Sequence, residues 1–331
     1  MTTKRNFSGE FTDFEEVKMK LSGSKVHLKN RRANLERNQH NENFSARYID
    51  GIKAEITSLE NKIPQLEAIL ATEPPPPVLP PRQPLFKVSG VLEEFSVQKV
   101  IGYFTDREYD PEGFAKQEAS EQVGSLLLAV TGNAAGSAVT GQSKTRIKNA
   151  CDFVRGKING VPFSGWLGKT HVRAGDYVEM AVTGRGNHYV VYAITLPELH
   201  TITMTPQCKC GREGDIYFEL HCSAPTMAGI YAVLFISLKF FGADWKAVFF
   251  CLAIAAAMLV VAGIYTVFSI RKKPNPSTLL AESIFTALNF TEPRRVDLRK
   301  ITKEQAKKKP PVADREMPSP RSAWMDFFYY Y

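Results

Sequence analysis

Cys208, Cys210, His221 and Cys222 fall within 15 residues, in the stretch CKCGREGDIYFELHC. Thiolate sulfur and imidazole nitrogen are the ligands zinc prefers, so a metal is the first chemistry these residues suggest. The spacing argues against it. Cys-x-Cys followed by adjacent His and Cys is not that of an ordinary zinc module, and no Cys-x-x-Cys completes the set. The alternative is free thiols beside a membrane surface, open to lipid modification. His171, His188 and His200 have no Ser or Cys nucleophile motif beside them. The glycines of TGRGNH, residues 183–188, join two strand-like runs instead of opening a helix, so they build no phosphate cradle. The pattern points to no enzyme, and no cofactor is expected.

Without a catalytic constellation, the informative features are the elements themselves. Residues 247–270 are 24 consecutive residues without a charge. As a helix they reach about 36 Å, against roughly 30 Å of bilayer hydrocarbon. Residues 224–241 are similar, with Lys239 near the end, where its ammonium snorkels to the interface. Between them GADWK, 242–246, reads as a turn, with Trp245 suited to an interfacial aromatic belt. Arg271, Lys272 and Lys273 follow directly. Two membrane helices over 224–270 are expected. The cationic flank against a nearly neutral turn places both long ends in the cytoplasm when the cell makes the protein itself. Ala253 and Ala257 have small-xxx-small spacing, with Gly263 further on, which allows close packing within the hairpin or between copies in a homo-oligomer. That alanine is simply common in such helices is an equal alternative.

The remaining sequence divides around this hairpin. In residues 1–72, Ile52, Ile56, Leu59, Ile63, Leu66 and Leu70 form a heptad seam, interrupted by Pro64 with an expected kink. Phe14, Val17, Leu21, Leu28 and Leu35 form a weaker one, broken by Gly23. A helical hairpin or coiled coil turning near 38–43 is predicted. Residues 73–84 hold seven prolines and read as a stiff linker, with an SH3-type ligand role as the lesser alternative. Residues 85–223 carry six or seven short strand patterns, among them LFKVSGVLEEF, VQKVIGYFTD and a hairpin signal at Asn159-Gly160. They suggest a small antiparallel β barrel, OB-like or SH3-like. Inside it, residues 121–142 form a Gly-, Ala-, Ser- and Thr-rich insertion, either a weak lipid contact or a loop on the barrel.

The chain carries 42 Lys and Arg against 34 Asp and Glu, a formal +8. Residues 271–331 hold 13 of the former and 7 of the latter, so most of the excess is a basic cytoplasmic tail. Anionic lipid is the partner this suits, and no specific nucleic acid is indicated. In that tail Ser277 or Thr278 is placed to cap a short helix with Leu280, Ile284, Phe285 and Leu288 on one face, resting on lipid or on the barrel. Five cysteines in 331 residues suit a reducing compartment. The fold class expected is an α+β membrane protein: helical hairpin, small barrel, transmembrane hairpin, basic tail.

The order of parts carries a resemblance. VSGVLEEF, KVIGYFTD, INGVPFSGWLGK, GDYVEMAV and YVVYAI precede the two-helix hairpin, and AESIFTALNF, VDL and an aromatic terminus follow it. Over roughly residues 75–331 this resembles the bacterial family of type VI secretion system effectors. The ending FFYYY lacks the Arg of that family's aromatic-Arg-Tyr ending. The resemblance implies a toxin delivered by a secretion spike or adaptor, countered by an immunity protein, which inserts in the target inner membrane and depolarises it or forms a pore. It supplies no catalytic residue. The alternative from composition is a resident inner-membrane protein, whose hairpin anchors the barrel and coiled coil as a protein-binding module. An enzyme acting on lipid or peptidoglycan ranks third.

Overall fold

The computed structural model describes residues 11–38, 46–116, 118–119, 148–240, 244–308 and 328–331. The predicted insertion at 121–142 lies outside the described residues. The chain divides into two compact units: residues 1–76 with 99–102, and residues 77–98 with 103–331.

In the first unit, α1 (Phe14–Asn38) and α2 (Ala46–Leu70) are antiparallel, as the ion pairs Lys18–Glu73, Lys25–Glu67 and Arg32–Glu60 require. Asp13 accepts a hydrogen bond from the Glu16 N–H at 3.2 Å, and Glu15 and Glu16 complement the helix dipole. On α2 the covered residues from Ile52 onward are Ile52, Ile56, Leu59, Ile63, Leu66 and Leu70, with every residue between them exposed. The helix runs unbroken through Pro64, where a kink was expected. Pro64 is exposed, so the packed seam on the other face is kept at the cost of one missing donor. Gly23 is likewise exposed and does not break α1, whose seam continues through buried Ser24 and half-buried Arg31. Thr12 pairs in parallel with Val100 at the end of the first strand.

The second unit is built on a barrel. Its strands are β1 (Phe86–Tyr103), β2 (Lys148–Ile158), β3 (Val161–Leu167), β4 (Tyr177–Gly184) and β5 (Tyr189–Leu196). Two expected strands, 85–95 and 97–106, are a single one, because no Gly or Pro lies between Phe95 and Val97 to break it. The strands run β3-β2-β1-β4-β5, and β5 returns to β3, closing five strands. That closing contact is parallel, where an antiparallel barrel was predicted: Phe163 pairs with Tyr189 and Ser164 with Val190. Gly165 permits it, since a Cβ there would stand 2.2 Å from the Val191 carbonyl oxygen. Asn159 and Gly160 both take positive φ, the tight β2–β3 turn their sequence predicts. Leu92, Val154, Ile158, Phe163, Met180, Val191 and Ile194 belong to the core inside. Val78 of the proline stretch accepts a hydrogen bond from the Tyr192 hydroxyl at 2.8 Å, so this part of the linker lies on the barrel.

Beyond the barrel, β6 (Thr201–Met204) pairs with β5, and β7 (Tyr329–Tyr330) pairs with β6. A one-turn helix α3 (Asp106–Tyr109) precedes the long helices α4 (Arg212–Phe240) and α5 (Trp245–Lys272). They are followed by α6 (Pro276–Ala287) and α7 (Leu298–Lys308). The α6 N-cap is Asn275 with Pro276 at the first helical position, where Ser277 or Thr278 was expected. Leu280, Ile284, Phe285 and Leu288 are buried, so α6 packs into this unit instead of resting on lipid.

Candidate functional site: the helical hairpin and its foot

Helix α4 begins at Arg212, twelve residues before the apolar segment that the sequence delimits. Glu213 and Asp215 sit in its first turn, favourable at the positive end of the dipole. Helix α5 begins at Trp245, inside the predicted turn, because Asp244 caps it: its carboxylate accepts from the Trp245 N–H at 2.8 Å. Arg271 and Lys272 close its last turn, and the Lys273 N–H bonds back to Ser269. Within these, Arg212–Ser237 and Phe249–Lys272 are long and apolar enough to cross a membrane, at mean hydropathies of 1.4 and 2.4.

A soluble core helix of this composition is covered by its neighbours. These are not: among the described side chains of 217–237 and 249–272 none is buried. Val233, Ile236, Phe249, Val261 and Tyr265 are all more than 60 % exposed. Such a surface is far beyond what a water-soluble exterior carries. Aromatics mark both ends. Trp245 and Phe249 stand at one, 6.1 Å apart, and Tyr265 and Phe268 on α5 with Tyr217 and Phe218 on α4 at the other. Trp245 and Tyr265 are 20 residues apart, about 30 Å along a helix and the thickness of bilayer hydrocarbon.

The two helices touch along one stripe. On α5 it includes half-buried Ala255, Leu259, Gly263, Thr266 and Ile270. A Cβ at Gly263 would meet Leu220 at 3.7 Å, which places that glycine against α4. Ala253 and Ala257 are exposed and lie about 200° round the helix from Ala255 and Leu259. Of the three predicted packing residues, Gly263 therefore faces the partner helix, and the two alanines face outward. Lys239 is within α4, but its side chain lies outside the description.

The hairpin is fastened at its foot. The Gly211 N–H donates to the Val296 carbonyl at 2.8 Å, Leu298 N–H to Lys209, and Glu213 N–H to Arg294. Glu282 accepts from both the backbone and the guanidinium of Arg212, at 2.9 and 3.2 Å. Asn275 donates to Asp215 at 3.1 Å, tying the N-cap of α6 to the first turn of α4. The last residues pack nearby. Phe328 is buried, 4.5 Å from the His171 ring, and the Tyr330 N–H donates to Thr302.

The predicted metal candidates are not brought together. Cys208 and Cys210 are buried, with the Cys208 sulfur 3.5 Å from the Tyr109 hydroxyl. Burial pushes the Cys210 thiol up to about 12, although the Arg299 guanidinium, 3.3 Å from its sulfur, pulls the other way. His221 and Cys222 are exposed on α4, roughly 16 Å further along it, and His221 stacks on Tyr217. Among the described residues no group of three His, Cys, Asp or Glu is placed to hold a metal.

One contact was missed by sequence. Ser164 Oγ lies 2.8 Å from His188 Nε2, joined across 24 residues by the parallel β3–β5 pairing. Only the barrel closure could have revealed it. Burial, and then the Arg185 charge, lower the His188 pKa.

The chain matches no family model, no curated protein and no solved structure.

Proposed function

We propose that this chain is a two-span membrane protein in which α4 and α5 hold an OB-type barrel at the bilayer face as an anchored binding module. The uncovered apolar surface of both helices, bounded by aromatics about 30 Å apart, carries this reading. The barrel order, with β1 shared between β2 and β4 and closure through parallel β3–β5, supports an OB type. The backbone bonds at the foot favour a hairpin that stays attached to its barrel. A fold of this kind hosts many activities, so no ligand is taken from it.

Both termini are assigned to the cytoplasmic side of a bacterial inner membrane, on the Arg271-Lys272-Lys273 flank. In cell fractionation the full chain should resist alkaline carbonate, and deletion of 224–273 should release it to the soluble fraction. Release of the intact chain by carbonate overturns the reading. Reporters fused after Pro84 and after Tyr331 should both signal cytoplasm, since opposite signals mean a single span.

A second reading is a type VI secretion effector that depolarises a target inner membrane, supported by the resemblance in order of parts. The outward face of Ala253 and Ala257 favours it in one respect. Two helices enclose no water path, and that face is available to further copies.

A further inference from the structure

Resting on the two-span reading, we propose that the outer face of α7 binds the anionic headgroups of the bilayer that α4 and α5 enter. Helix α7 lies against the hairpin foot. The Arg299 guanidinium stands 3.9 Å over the Phe218 ring, and the Lys300 ammonium 5.8 Å over Tyr217. Both rings are exposed on α4. The Gly263–Leu220 contact sets them level with Tyr265, the α5 aromatic that lies about 30 Å from Trp245. A cation over these rings therefore stands at the edge of the hydrocarbon, at the depth of lipid phosphates.

The two sides of α7 differ. Leu298 and Thr302 are buried, and Thr302 accepts from β7, so that side is taken. Arg299 is taken as well, paired to Asp297 at 3.1 Å. Lys300 and Lys303 are exposed and make no ion pair among the described residues, and neither do exposed Arg271, Lys272 and Lys273 at the end of α5. Glu304, next to Lys303, and Glu219, next to Phe218, are exposed carboxylates, too few to neutralise five cations. Cations that α7 holds at this depth, with those that close α5, are complementary to an anionic leaflet.

The test uses the full chain in a neutral detergent, with unfolding followed by a thiol-reactive dye that reports exposure of buried Cys151, Cys208 and Cys210. Phosphatidylglycerol should raise the unfolding temperature in proportion to its concentration. Phosphatidylcholine and glycerol 3-phosphate should not. K300Q/K303Q should lose at least half of the shift, K300R/K303R should restore it, and R173Q on the barrel should keep it whole. Equal shifts with both lipids, or an intact response in K300Q/K303Q, overturn the proposal. A shift with glycerol 3-phosphate alone makes this a soluble phosphate-ester site and overturns the lipid assignment. Failure of the two-span reading is seen separately, as carbonate extraction of the full chain.

Discussion

Gly211 lies against Pro293 so closely that a Cβ at 211 would stand 2.3 Å from the Pro293 carbonyl oxygen and 2.6 Å from that of Arg294. The backbone leading into α4 runs directly beside the segment that precedes α7, and the Gly211 N–H uses that approach to reach Val296. Both obstructing atoms are backbone, so neither can swing aside. Gly211→Ala should destabilise the second unit by about 1–3 kcal/mol, the range for forced overpacking. Denaturant midpoints of the full chain in detergent measure it. A variant as stable as wild type would mean that the foot yields freely.

The end of the chain makes a similar statement. Phe328 is buried three residues from the last position, and β7 covers the edge of β6 through Thr201 and Ile202. An uncovered edge is a template for unwanted pairing. Phe328→Ala should cost roughly 3–5 kcal/mol, as for other buried Phe→Ala changes. Removing 328–331 should add concentration-dependent association, read by light scattering. An unchanged midpoint in Phe328→Ala would show that the tail is not held there.

The helical seams and the two long apolar helices were legible because each is written in adjacent residues, as a local periodicity or an unbroken apolar run. From Ile52 onward the six covered positions of α2 are the six apolar ones its sequence spaces by three and four. The Asn159-Gly160 turn was legible because positive φ selects those residues. What was hidden depends on distant pairing. Nothing near Ser164 signals that a parallel strand will bring His188 to it. Nothing in FFYYY says that β6 offers it an edge. The early start of α4 was obscured because Glu213 and Asp215 are polar, although a first turn favours them.

The His188 environment gives a pH prediction with a definite sign. Its folded pKa lies below 6.5, from burial first and the Arg185 charge second. Well above pH 6.5 the ring is neutral in both states and contributes no pH dependence. As pH falls through 6.5 the unfolded chain binds the proton first, so stability declines, and the loss levels off once the pH passes the folded pKa. The stability advantage of wild type over His188→Asn should therefore shrink between pH 7.5 and 5.5. An advantage that stays constant would show that His188 titrates alike in both states.

The two faces of α5 separate packing within one hairpin from contact between copies. Gly263 meets Leu220, so Gly263→Leu must push α4 away, and on the two-span reading close packing rather than water exclusion is what holds the pair together. Crosslinking between cysteines placed on α4 and α5 should fall in that variant. Ala253 and Ala257 point outward, so A253L/A257L should leave the same crosslinks unchanged. Both variants should still resist carbonate. Ala256→Asp, near the middle of the span, should not insert, at a cost of about 2.5–3.5 kcal/mol on insertion scales. If the chain acts as a pore-forming effector, periplasm-directed wild type should collapse the membrane potential of a susceptible cell without gross lysis. A253L/A257L should then be inserted yet weak, because the enlarged side chains separate the copies. A potential-sensitive dye reads this directly. Normal polarisation with wild-type protein in the membrane removes the pore and leaves the anchored module.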